Sequence, residues 1–151
     1  MKQFLLVCIA VIILVVAIVG ITWLIQQDIV HDNREAMITD LNKMAKSALE
    51  YFKSPVYIGG GGGKWVPKID DEYQKARLNL WLTHAGFRQH TTENTFITNN
   101  GIYEMWLRSY EDILLNIEGT GIEIGKDNIN PVKVLLKIYG PTGGISIEIL
   151  N

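Results

Sequence analysis

The sequence predicts an α+β chain: a long N-terminal α-helix, apolar in its first half and amphipathic in its second, packed on a small antiparallel β-sheet head. Three observations predict it. Phe4 to Ile25 is an unbroken apolar run without a charged residue. It passes directly into a polar, helix-periodic stretch from Gln26 to Lys53, with no proline before Pro55. Beyond Phe87 the chain changes to short β-rich segments divided by turn residues. The organisation that follows is a helix over residues 1–54, with 1–25 apolar and 26–54 amphipathic, and a head over residues 55–151.

At about 1.5 Å per residue the apolar run extends roughly 33 Å, enough to cross a bilayer core, and the whole helix about 80 Å. A cleaved secretory signal has a shorter apolar core, of about 7–15 residues. A helix buried in a soluble protein is seldom apolar on every face over such a length. The run therefore reads as a single membrane span, with Lys2 on the cytoplasmic side and the head outside. Cys8, the single cysteine, lies within it and has no intrachain disulfide partner, so it reads as a small apolar residue. The formal net charge of −2, without a basic patch, speaks against a nucleic-acid partner.

In the second half Val30, Met37, Leu41, Met44, Ala48 and Phe52 recur at spacings of seven, four, three, four and four. Arg34, Asp40, Lys43, Lys46, Glu50 and Lys53 fall mostly elsewhere, which makes one apolar stripe on a solvated helix. A head of about 95 residues is too small to stabilise itself readily, so the stripe is expected to supply part of its core. A coiled-coil seam would need its spacing sustained over more heptads.

Pro55 stops the helix, and Gly59, Gly60, Gly61, Gly62 and Gly63 form a loop. It fails as a phosphate-binding loop. Gly63 precedes Lys64, but Ile58 and Trp65 stand where that pattern needs a second glycine and a serine or threonine. From Asp70 to Ala85 the residues Leu78, Trp81, Leu82 and Ala85 make a helical face, with Asp70 as N-cap and Gly86 as stop, although Leu78, Leu80 and Leu82 also alternate as in a strand. The helix is the stronger reading. Strands are expected at Thr95–Thr98, Ile102–Arg108, Ile113–Ile117, Val132–Tyr139 and Ile145–Leu150, with an Asn-Gly hairpin signal at Asn99-Asn100-Gly101 and a Gly140–Gly144 turn. They imply a meander of about four or five strands, with Val132, Val134, Leu136 and Ile138 on the face against the helix.

Catalytic chemistry has little to stand on, because His31, His84 and His90 are far apart and no Cys-His or Ser-His-Asp spacing is visible. They read as surface residues, and the chain reads as a non-enzyme. Asp70, Asp71 and Glu72 suit a helix N-terminus. Glu123, Asp127, Asn128 and Asn130 carry the oxygen ligands that Ca²⁺ takes, but without the spacing of a known calcium loop. Turn chemistry is the stronger reading there, and no cofactor or metal is expected.

The chain resembles a type IV pilin or pseudopilin subunit. The resemblance is carried by the N-terminal span running straight into Asp32-Asn33-Arg34-Glu35-Ala36, by the amphipathic Asp40-Leu41-Asn42 stretch, and by Tyr51-Phe52-Lys53-Ser54-Pro55 before a glycine loop. A C-terminal antiparallel sheet with a Gly119-Thr120-Gly121-Ile122-Glu123-Ile124-Gly125 connection fits the same plan. The resemblance implies a subunit held in the inner membrane and then extracted, by pilus or secretion assembly machinery, into a helical homopolymer on the cell surface. Phe4, Leu5, Val7, Ala10, Val11, Leu14, Ala17, Ile18, Gly20 and Ile21 would lie in the filament core, with Ala10, Ala17 and Gly20 setting how closely helices approach. Two features depart from the family pattern: Leu5 stands where mature pilins carry a glutamate, and the short basic leader of the family is not seen before Met1, as expected either of an already mature chain or of a divergent subunit that sets its register differently. The alternative reading is a monomeric, single-pass anchored binding module of the periplasm or cell surface.

Overall fold

The computed structural model describes residues 2–65, 72–90, 94–107, 114–125, 127 and 129–151, with the side chains of Leu5 and of residues 72–77 outside that description. The fold is α+β, as the pattern predicts. A single helix, α1 (Lys2–Lys53), is followed by a 3₁₀ turn (Val56–Ile58), helix α2 (Glu72–His84) and six strands. The strands are β1 (Arg88–Gln89), β2 (Thr95–Ile97), β3 (Gly101–Leu107), β4 (Leu114–Ile124), β5 (Pro131–Tyr139) and β6 (Gly144–Ile149). They pair in sequence order and antiparallel throughout. The expected four or five strands become six because the two-residue β1 adds an edge too short to leave a periodic signal.

The core lies between the sheet and the second half of α1, extended by Trp65, by Leu78 and Leu82 of α2, and by Phe87. Met37, Leu41, Met44 and Ala48 are fully buried, and Val30 and Phe52 nearly so. Opposite them, Val132, Val134, Leu136 and Ile138 of β5 are fully buried, joined by Leu115 and Ile117 of β4 and Tyr103 and Met105 of β3. Strand alternation does the rest: Lys133 and Lys137 face outward and pair with Glu118 at 2.7 Å and Glu148 at 2.5 Å. Lys43, Lys46 and Glu50 are exposed on the far side of α1.

Helix α2 resolves the ambiguity between helix and strand, because Leu80 is exposed while Leu78 and Leu82 are buried. It ends in a Schellman arrangement. Gly86 sits at φ +94° and its N–H reaches the Thr83 carbonyl, while the Phe87 N–H reaches the Leu82 carbonyl and both side chains are buried. The N-cap assigned to Asp70 lies outside the described residues, as does Asp71.

Three expectations are corrected. Strand β4 does not end at Ile117 but runs on to Ile124, so the segment read as a Gly119–Gly125 connection is mostly strand. Its glycines serve close approach: a Cβ at Gly119 would lie 2.9 Å from Met37 Cε, and one at Gly121 would lie 2.3 Å from Asn33 Oδ1. The β2–β3 turn is centred on Asn99-Asn100, one residue earlier than the Asn-Gly signal, with the Thr98 N–H bonded to the Gly101 carbonyl and Ile97 paired with Ile102. Finally, Arg34 and Asp40 are buried rather than solvated.

Candidate functional site: the exposed helix half and its junction with the head

The first half of α1 leaves the head and touches none of its core. Its large apolar side chains are exposed, from 45 % at Ile9 to 77 % at Phe4. Phe4, Val7, Val11, Leu14, Ile18 and Ile21 are all in this exposed set, and Ala10, Ala17 and Gly20 are exposed between them. The side chain of Leu5 lies outside the described residues. Soluble monomers rarely expose a contiguous apolar patch beyond a few hundred Å². A rod of apolar residues about 33 Å long exceeds that, and this helix is long and apolar enough to cross a membrane.

The junction with the head is polar and specific. Asp40 Oδ2 accepts hydrogen bonds from Thr98 Oγ1 at 2.8 Å, Asn100 Nδ2 at 2.8 Å and the Tyr103 hydroxyl at 3.0 Å. Asn33 Nδ2 donates to the Asn100 carbonyl at 2.9 Å, so two turns of α1 hold one hairpin. Further along, Ser47 Oγ donates to the Trp81 carbonyl and Trp81 Nε1 donates to the Gly59 carbonyl, which ties α2 and the glycine loop to the same flank. Burial is the largest reason the Tyr103 phenol is pushed well above its usual range, with the Asp40 charge beside it acting in the same direction. Asn33, Asp40 and Ser47 recur every seven residues beside the apolar stripe, a regularity that sequence reading passed over.

The glycine loop is a helix cap. The N–H groups of Gly61, Gly62 and Gly63 donate to the carbonyls of Tyr51, Ser54 and Phe52 at 2.7–2.8 Å, and that of Gly60 to Pro55. Donors spent on the orphan carbonyls at the end of α1 are not open to a phosphate. A Cβ at Gly61 would lie 2.2 Å from the Lys64 carbonyl oxygen, which explains why no side chain is present there.

The residues weighed for calcium divide. Glu123 is part of β4, Asn128 lies outside the described residues, and Asp127 accepts the N–H groups of Ile129 and Asn130 and the Asn130 side-chain amide. Those bonds, led by the Ile129 N–H, hold its carboxyl well below the usual carboxylate range. It is an Asx-type turn. His31 and His84 are exposed and stand on different helices.

Where the apolar run meets the head, a notch of about 680 Å³ opens beside α1. Trp23, Gln26, Gln27 and Asp28 line its lower side, and Val30, His31, Arg34 and Gly125 its upper side. Arg34 is only 8 % exposed; its Nη2 donates to the Asn151 carbonyl at 3.2 Å and its Nε has no hydrogen-bond partner. No protein-family model matches the chain, and no curated protein or solved structure matches it either.

Proposed function

We propose that this chain is a structural subunit of an extracellular type IV pilus-like filament, anchored in the inner membrane by its apolar helix until assembly machinery extracts it. One observation carries the reading: α1 is continuous from Lys2 to Lys53, apolar and exposed over its first half and the spine of the head's core over its second. One unbroken helix therefore joins anchor to head. A tether for a binding module needs no such continuity, whereas a helical homopolymer needs the core helix to dictate where each head sits on the surface. Exposed apolar faces all round the first half suit a bundle of identical helices, in which neighbours take the place of lipid. The role is structural and not catalytic.

Electron microscopy of material sheared from cells expressing the chain, with the subunit identified in the fibres by mass spectrometry, tests the proposal. Fibres of uniform width that contain the chain are expected. Recovery of the chain solely in the membrane fraction would favour the tethered binding module.

A further inference from the structure

We propose that the exposed back of the second half of α1 is a self-complementary charge strip, which joins two copies of this chain when they lie parallel and displaced by about 11 residues along the axis. The inference rests on the filament reading and names the contact that fixes the stagger between subunits. On the side of α1 away from the sheet, Asp28, Asp32 and Glu35 are exposed, and after Thr39 and Asn42 so are Lys43, Lys46 and Lys53. Glu50 is the one acid among these lysines. Arg34 and Asp40 are buried against the head and take no part. Among the described residues, none of the charges on the strip enters an ion pair within the chain. A solvated helix gains support from opposite charges three or four residues apart, but Glu35 and Lys43 are separated by about 12 Å along the axis. The helix dipole acts within the last turn, so it accounts for Lys53 but for none of Asp28, Asp32, Glu35, Lys43 and Lys46.

Spacing supplies the register. About 11 residues make close to three turns of 3.6, so Asp32 and Lys43 share one face of the helix, and so do Glu35 and Lys46. A second copy displaced by that amount, about 16 Å, brings Asp32 level with Lys43 and Glu35 level with Lys46 in a single step. At the same shift Asp28 and Glu50 meet a threonine and Lys53 meets an asparagine, so no like charges are opposed. Two copies whose apolar halves occupy one layer can only lie parallel. In the membrane they also stand at one height, where the strip sets acid against acid and lysine against lysine and holds the copies apart. The stagger of a filament reverses the sign. One surface thus opposes association before extraction and sets the register after it.

Three variants of the full chain test the strip: Asp32→Lys with Glu35→Lys, Lys43→Glu with Lys46→Glu, and all four changes together. The four positions are exposed and outside the packed core, so thermal melts in mild detergent should match the wild type. Fibres are pelleted as detergent is withdrawn, and the concentration of chain left in solution is measured. Either pair alone should raise that concentration at least about tenfold, the combined scale of two exposed charge contacts turned from attraction to repulsion. The fourfold variant, in which acids and lysines have exchanged places, should return it to within about threefold of the wild type. Salt gives a check that needs no variant: at about 1 M, where the Debye length is about 3 Å, the wild type should leave more chain in solution. Normal assembly of either pair, a fourfold variant that does not recover, or a wild type indifferent to salt overturns the strip and leaves the filament reading standing. A wild type that forms no fibres under any of these conditions overturns both.

Discussion

The Tyr103 hydroxyl of β3 donates to Asp40 Oδ2 of α1 at 3.0 Å, in the same carboxylate that holds Thr98 and Asn100. That contact ties the β2–β3 hairpin to the helix at a place where the apolar stripe would allow the sheet to slide. Replacing Asp40 with alanine strands three donors in a buried site. The expected loss is about 3 kcal/mol, the upper range for hydrogen bonds to a charged acceptor. Urea unfolding of the full chain in mild detergent, followed by tryptophan fluorescence, measures it.

Tyr103 gives a dependence on pH. Burial raises its folded pKa, while in the unfolded chain the phenol ionises near its ordinary value of about 10. The folded state thus keeps a proton that the unfolded state releases, so this contribution is complete below about pH 10 and is lost as pH rises further. The urea midpoint of the wild type should fall between about pH 9.5 and 11 more steeply than that of Tyr103→Phe. Parallel curves would exclude Tyr103 as the group responsible.

On α1, Phe52 faces the core and Lys46 faces solvent. The Phe52 ring packs 4.7 Å from that of Trp65, tilted by 51°, and both are buried. Phe52→Ala should cost about 3–5 kcal/mol, whereas Lys46→Ala, at an exposed position, should change stability by less than about 0.5 kcal/mol. Thermal melts of the two variants side by side make the comparison. Gly61→Val belongs in the same set, because its Cβ has no room beside the Lys64 carbonyl and the cap of α1 must open.

Much of this architecture was legible in the sequence, and what was not has physical causes. The stripe from Met37 to Phe52 and the inward face of β5 announce themselves because burial on one side imposes a period on the residues. Gly119 and Gly121 misled, since glycine marks turns and close approach alike and one sequence does not say which. Arg34 and Asp40 were placed with the solvated residues because charge ordinarily seeks water. Only the hairpin brought from 60 residues away supplies the partners that make Asp40 tolerable in the interior. The notch was out of reach for the same reason, because Gly125 comes to α1 only through the pairing of β4 and β5.

The glycine reading can itself be tested. Gly121→Ala forces a methyl toward Asn33 Oδ1 and Met37 Sδ, and should cost about 1–3 kcal/mol as overpacking. The same change at Gly63, where a Cβ meets no atom within 4 Å but φ is +85°, tests backbone strain alone. Paired denaturation curves show whether closeness or conformation dominates.

The most direct test of the filament account follows the purified chain by electron microscopy as detergent is withdrawn, with Ala17→Asp alongside. A carboxylate at position 17 would be buried without a partner in a bundle of apolar helices, at a cost of several kcal/mol. The account predicts fibres of uniform width from the wild-type chain and none from the variant. Amorphous aggregate or isolated monomers from the wild type, or fibres at normal yield from Ala17→Asp, would contradict it.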